Sequence, residues 1–202
     1  MQIIEPDETR KIDLPGVGPR PRPVDIDQRQ TGFKTLKSLR IYRFHEGPPI
    51  HGESEVDEVF ILPLVGEFEM AISGRQAFQG RISAAGQDRA LYLPPHHTYR
   101  LSPADNVTVA YARAEAVGKV PVQAVSGSAS AGLAEHLCIR RMTLRAGERM
   151  EVSGAETLVH VIAGGMRCAD GSVGAGQTMA LAANEARVLE AVGETDLLVV
   201  SA

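Results

Sequence analysis

The segment His51-Gly-Glu-Ser-Glu-Val-Asp-Glu58 sets an imidazole and several carboxylates a few residues apart, just ahead of the apolar run Val59 to Val65 and the turn residue Gly66. His, Glu and Asp at such spacing hold divalent cations or move protons, which makes His51, Glu53 and Glu58 the first candidates for chemistry. A second stretch, Pro94-Pro-His-His-Thr-Tyr99, adds His97 and Tyr99, which share one strand face because side chains alternate with a period of two. The plain alternatives are a solvated acidic loop over residues 51–58 and a turn cap for His96 and His97. His45, His136 and His160 lack partners at ligand spacing, and Gly171-Ser-Val-Gly-Ala-Gly176 lacks the lysine and the strand-loop-helix context of a phosphate loop.

The elements around these residues read as strands. From about Lys37, Leu39, Ile41 and Arg43 fall on one parity and Arg40, Tyr42 and Phe44 on the other, until Gly47-Pro48-Pro49 interrupts the strand. Val59 to Val65 is apolar on both faces. Glu67 and Glu69 then alternate with Phe68, Met70 and Ile72, the pattern of a half-buried strand. The segment from Gly86 to Pro95 reads as turn, strand and proline stop, and a last strand centres on Val107, Val109 and Tyr111.

The order then repeats. Glu156-Thr-Leu-Val-His-Val-Ile-Ala-Gly164 returns 98 residues after Glu58 with the same Glu-to-Gly interval, and Gly176-Gln-Thr-Met-Ala-Leu matches Gly86-Gln-Asp-Arg-Ala-Leu at an offset of 90. The change of offset places a shorter loop in the second copy, where length changes are tolerated. The expected organisation is an extended N-terminal arm over 1–36, a first barrel over 37–116 with the candidate site, a linker over 117–132, and a structural second barrel over 133–202. Pro15, Pro19, Pro21 and Pro23 exclude a helix or central strand from the arm.

Twenty glycines, twelve prolines and no tryptophan suit many short strands joined by tight turns. A net charge of −4 with scattered Lys and Arg offers no basic field for nucleic acid. The chain shows neither a signal-peptide pattern nor an apolar run near the ~20 residues needed to cross a bilayer, so a soluble cytoplasmic protein is expected. Cys138 and Cys168 read as buried free thiols rather than a disulfide.

Two short all-β repeats, each with a polar cluster ahead of an apolar strand and Gly and then a Gly-to-Pro strand, resemble the cupin superfamily in its two-barrel form. The implied fold is all-β: two tandem double-stranded β-helix (jelly-roll) barrels. In cupins the first motif is His-x-His, three or four residues, Glu, six residues, Gly; the second supplies a histidine five residues after a proline. Mapped here, the motif falls on His51, Glu53 and Glu58. The strand after Glu58 is one residue too long, which implies a bulge near Pro63 and leaves Asp57 as a substitute for Glu58. Tyr99 replaces the second-motif histidine, with His97 on the same parity.

The resemblance thus implies a metal set of His51, Glu53, Glu58 and His97 or Tyr99, holding Zn, Mn, Fe or Ni. In the second barrel the matching positions are Arg149, Glu151 and Glu156, with Arg187 and Leu189 opposite His97 and Tyr99. Residues 90–102 with 106–116 also resemble the 5-deoxyglucuronate isomerases of inositol catabolism and their uronate-isomerase relatives. That implies aldose-ketose isomerisation of a sugar acid, with a divalent cation polarising the substrate oxygen, Glu53 or Glu58 as base, and Tyr99 as hydrogen-bond or proton donor. The competing reading is a metal-free cupin that binds a small ligand or serves as a scaffold, and a metal-dependent dioxygenase ranks third. A small-molecule ligand and a homodimer are the expected partners.

Overall fold

The computed structural model describes residues 1–74, 77–85, 88–116, 123–126 and 137–202. His136, Gly86 and most of the 117–132 segment therefore lie outside the described residues.

The N-terminal arm lies along its own chain. It comprises β1 (Gln2–Ile4), a two-stranded hairpin of β2 (Lys11–Leu14) and β3 (Gly18–Pro21), β4 (Val24–Asp27) and the single turn α1 (Gln28–Thr31). Asp27 caps α1 by accepting from the Arg29 and Gln30 amides, and Gly32 ends it with φ 72°. The prolines confine β2 and β3 to a pair of their own, which accords with their exclusion from a central strand.

The first barrel follows with β5 (Leu36–Phe44), β6 (Ile50–Glu53), β7 (Asp57–Val65), β8 (Glu67–Ser73), β9 (Phe78–Ser83), β10 (Asp88–Leu93), β11 (Thr98–Pro103) and β12 (Val107–Glu115). Its sheets run β10-β7-β12-β5 and β6-β11-β8-β9. β4 extends one edge of the first sheet, and β13 (Gln123–Ser126), within the segment read as a linker, extends the other.

The second barrel repeats the scheme with β14 (Cys138–Leu144), β15 (Arg149–Val152), β16 (Thr157–Ala163), β17 (Gly165–Cys168), β18 (Gly171–Gly174), β19 (Thr178–Leu181), β20 (Arg187–Ala191) and β21 (Thr195–Ser201). Its sheets run β19-β16-β21-β14, with β1 of the arm added beside β19, and β15-β20-β17-β18. The two barrels thus have the same strand order, as the sequence repeat requires. Both are jelly rolls of two antiparallel sheets.

The long sheets of the two barrels face each other across one apolar layer. Phe60, Leu62 and Leu64 of β7 meet Leu39, Ile41, Ala110, Ala112, Leu158, Ala180, Leu198 and Val200 there. The other parity of β7, Val59 and Ile61, fills the interior of the first barrel with Phe68, Met70, Leu101 and Val109. This double burial is why the strand is apolar on both faces. The extra residue before Gly66 is absorbed where expected: Val109 pairs with Pro63 and Thr108 with Val65, so Leu64 is bulged beside a proline that has no N–H for the ladder.

Polar groups complete the joint. The Glu156 carboxylate accepts from the backbone amides of Lys34, Thr35 and Leu36 at 2.6, 2.8 and 2.9 Å, tying the start of β5 to the second barrel. Arg141 donates to the Leu64 carbonyl at 2.8 Å while it ion-pairs with Asp196 at 2.6 Å. His160 shares the parity of Leu158 and contacts Thr178 Oγ1 through Nδ1 at 3.0 Å. Cys138 and Cys168 are half-buried rather than buried, and Cys168 Sγ lies 3.7 Å from Met1 Sδ.

Two predictions follow from the joint. Glu156→Ala leaves three amides without their carboxylate and should cost about 1–3 kcal/mol in urea unfolding. For His160, burial pushes the pKa down from 6.5 to about 4. Protons therefore bind the unfolded chain first. The protein keeps its full stability above pH 6.5, loses it as pH falls from there toward 4, and reaches a plateau below. His160 should account for about 2–3 kcal/mol lost between pH 7 and 4.5. His160→Gln should flatten that segment of the pH–stability curve.

Candidate functional site

The interior of the first barrel is not filled completely. A cavity of about 110 Å³ lies between its sheets, with Ser38, Arg40 and Tyr42 of β5, Tyr111 and Arg113 of β12, Tyr99 of β11 and Val59 of β7 on its walls. Leu14, at the tip of the arm's hairpin, closes one side. The second barrel has no counterpart to this polar lining, for its interior is packed with Leu144, Val159, Val161, Met166, Met179, Leu189 and Leu197. Leu189 fills the place that Tyr99 has in the first barrel.

The cavity is rich in hydrogen-bond donors. Among the described residues Arg40 has one carboxylate within 4 Å, Asp25, whose Oδ1 lies 3.4 Å from its Nε. Asp25 Oδ2 is taken by Arg10 and Arg22, both at 2.7 Å. Arg22 also donates to Tyr42 Oη at 3.2 Å, with its guanidinium 5.6 Å from the centre of that ring. On the other side, Asp57 joins Lys37 at 2.5 Å and Arg113 at 3.1 Å, and Arg113 donates to the Ser54 carbonyl at 2.7 Å.

Tyr111 stands edge-on to Tyr42 with ring centres 5.2 Å apart, and 6.2 Å from Tyr99. Burial pushes the Tyr99 phenol up to about 12 and raises Tyr111 well above 10. Both are neutral donors at ordinary pH. The Tyr111 hydroxyl is buried beside the Tyr99 phenol, and among the described residues it has no well-formed hydrogen bond.

The residues expected to hold a metal do not converge. Along the β6–β11 ladder Gly52 stands opposite Tyr99, His51 opposite Arg100 and Glu53 opposite Thr98. Opposed residues share a face, and Tyr99 faces inward, so Gly52 is the inward residue while His51 and Glu53 are exposed. A Cβ at Gly52 would collide with the Tyr99 ring. His51 and Glu53 border the cavity but also flank an open groove on the outer sheet face with Arg100, Ala71 and Ser73.

Glu58 has the interface parity of β7 and accepts from Tyr92 Oη at 2.7 Å and from the Leu137 amide at 3.5 Å. His97 is buried, donates through Nδ1 to the Pro95 carbonyl at 2.9 Å, and packs against Gly74. Among the described residues its Nε2 has no hydrogen-bond partner. Of the expected site residues, Tyr99 points into the cavity and His51 and Glu53 stand at its border, while Glu58 and His97 lie elsewhere; strand parity therefore does not gather His51, Glu53, Glu58 and His97 around one point, nor turn Glu53 inward as a base. Among the described residues no three His, Cys, Asp or Glu side chains are grouped to hold a metal ion.

The cavity wall beside Tyr99 is formed by Arg40, Tyr42, Tyr111 and Arg113. Their signal in the sequence is the alternation of Arg40, Tyr42 and Phe44 with Leu39 and Ile41, which marks two faces without saying which one encloses a cavity. From this arrangement, equilibrium dialysis against Zn, Mn or Ni should give the same uptake for wild type and His51→Ala. Loss of one bound metal per chain in His51→Ala would contradict the placement of that side chain.

Several comparisons bear on the barrel that holds the cavity. The KduI/IolB family model matches residues 20–132. No curated protein matches the sequence. Among solved structures, an IolB-like protein from Salmonella typhimurium superposes with a TM-score of 0.69 at 15% identity, covering 90% of this chain and 88% of that one. The protein Ylba from E. coli gives 0.77 at 15% identity, with coverages of 99% and 90%. The bacterial pirin YhhW from E. coli, in complex with nickel(II), gives 0.68 at 12% identity, with 99% and 98%. These likenesses establish the fold. Because the family model spans more than half of the chain, including the first barrel and nearly all of its cavity wall, the protein belongs to the KduI/IolB family, a cupin-type family.

Proposed function

We propose that the first barrel binds a small hydroxylated carboxylic acid of the sugar-acid class, through side chains alone. The observation that carries this reading is the donor-rich cavity in which, among the described residues, Asp25 is the one carboxylate within 4 Å of Arg40 and the buried Tyr111 hydroxyl meets only the Tyr99 phenol in a loose contact. A guanidinium suits a carboxylate, whose two oxygens match its planar fork. The tyrosine hydroxyls, held neutral by burial, suit the hydroxyl groups of a sugar, and the rings give its carbon skeleton an apolar wall.

Family membership supports a second reading, aldose-ketose isomerisation of the same class of ligand. That reaction moves a proton between adjacent carbons while negative charge grows on an oxygen. Tyr99 and Tyr111 are placed to donate to such an oxygen. Asp57 is a carboxylate on the inner face, but Lys37 and Arg113 hold it as an ion pair, so acting as base would require it to leave them. A divalent cation, where a cupin binds one, polarises the substrate oxygen; the described residues of this chain do not form a ligand set for it. The binding reading therefore stands first.

Calorimetric titration of D-galacturonate and D-galactose in the presence of a chelator tests it. The uronate should bind and the neutral sugar should not, and Arg40→Ala should weaken the uronate by about 1.5–3 kcal/mol, the range of a hydrogen bond to a charged group. Equal binding of both sugars, or an unaffected Arg40→Ala, would remove the basis for the assignment. Ketose formation on adding Mn, Fe, Ni or Zn would move the isomerase reading to the front.

A further inference from the structure

The hairpin of β2 and β3 lies outside both barrels, yet it covers the cavity. Ile12, Leu14 and Val17 pack against the first-barrel core, and Leu14 forms part of the cavity wall. Its two legs are gathered at their base. The Arg22 amide donates to the Arg10 carbonyl at 2.9 Å, and both side chains end on Asp25 Oδ2. Asp25 Oδ1 faces Arg40 inside the cavity. One carboxylate therefore joins both legs of the hairpin to the cavity guanidinium.

We propose that this hairpin is a working wall of the binding site, and that Asp25 is the positioning residue that holds the wall closed and aims Arg40. This rests on the sugar-acid reading of the cavity. Three guanidiniums converge on one carboxylate, and among the described residues only Arg10 has a second, Asp7 at 3.9 Å. Like charges so placed repel one another, and an anionic ligand on Arg40 offsets that repulsion. Ligand binding and hairpin closure are thus coupled favourably: the bound acid steadies the wall, and the wall retains the acid. The apolar contacts of Ile12, Leu14 and Val17 add the water exclusion that strengthens the Arg40 contact.

Amide hydrogen exchange and acrylamide quenching of tyrosine emission test the closure without any ligand. Asp25→Asn should speed exchange across residues 11–21 by about tenfold, as expected for a locally opened segment, while β7 and β16 exchange as in wild type. Quenching should rise in the same variant, because Tyr42, Tyr99 and Tyr111 line the cavity. With D-galacturonate as probe, exchange across 11–21 should slow in wild type. Leu14→Ala, which shortens the wall and leaves its charges intact, should bind the probe about fivefold more weakly at an unchanged melting temperature, in line with the apolar contact removed. Unchanged exchange and quenching in Asp25→Asn would overturn the proposal whether or not the probe binds. A wild type that ignores galacturonate while Asp25→Asn opens the hairpin would fault the ligand assignment alone. Binding that is unaltered by Leu14→Ala and leaves exchange over 11–21 unchanged would also overturn the wall.

Discussion

The apolar layer between the two long sheets is the constraint on which the rest of the molecule depends. Neither barrel can expose Phe60, Leu62, Leu158 or Leu198 to water without losing about 1.5–3 kcal/mol for each such side chain, and each covers the other's surface. Once β7 is pressed between that layer and its own barrel, its register is set for both faces. A slip of one residue would send Val59 and Ile61 into the joint and Phe60 and Leu62 into the cavity. The alternation that places Asp57 on the inner side therefore also removes Glu58 to the joint, where it meets Tyr92.

The same logic governs the opposite sheet. Tyr99 enters the barrel because Leu101, two residues later on β11, belongs to the core. The ring needs the space that a side chain at position 52 would occupy, and Gly52 supplies it. His51 and Glu53, one position to either side, are left on the outer face. A single aromatic ring and a single glycine thus separate this barrel from one with inward-facing polar groups on β6, and the cavity's polarity comes instead from Arg40, Arg113 and the tyrosines of β11 and β12.

The N-terminal arm ties the two barrels together as well as covering the cavity. β1 adds to the second barrel beside β19, β4 adds to the first beside β5, and the hairpin lies between them in sequence. Stability and ligand access are therefore linked through one stretch of chain. Its attachment to the first barrel rests on backbone pairing and the Asp25 cluster, while its attachment to the second also includes the Gln177 amide on Glu5 at 2.6 Å. The chain joins its halves by a different device at Glu156. In the sequence that residue looks like a relic of a site; in the fold its carboxylate serves three backbone amides of the neighbouring barrel.

Much of the fold was legible in the residues. Alternation in Glu67 to Ile72, the double apolar face of Val59 to Val65, the offset repeat and the proline-dense arm announce short strands, a buried strand, two like barrels and an extended N-terminal arm, whereas the edges on which the arm lies came only with the fold. The bulge near Pro63 was legible from the one residue by which the strand exceeds the cupin spacing, and the fold places it beside that proline. The site was legible only in part. The resemblance to cupins groups His51, Glu53, Glu58 and His97, but it does not state which side of a strand faces the cavity, the joint or water. Tertiary packing decided that, by pairing Gly52 with Tyr99, by turning Glu58 toward Tyr92, and by bringing Leu14 and Asp25 of the arm against Arg40 of β5. The sequence alone determined the period and order of the strands; only the three-dimensional contacts decided which half of each period is inside, since burial depends on surfaces that are distant in the chain.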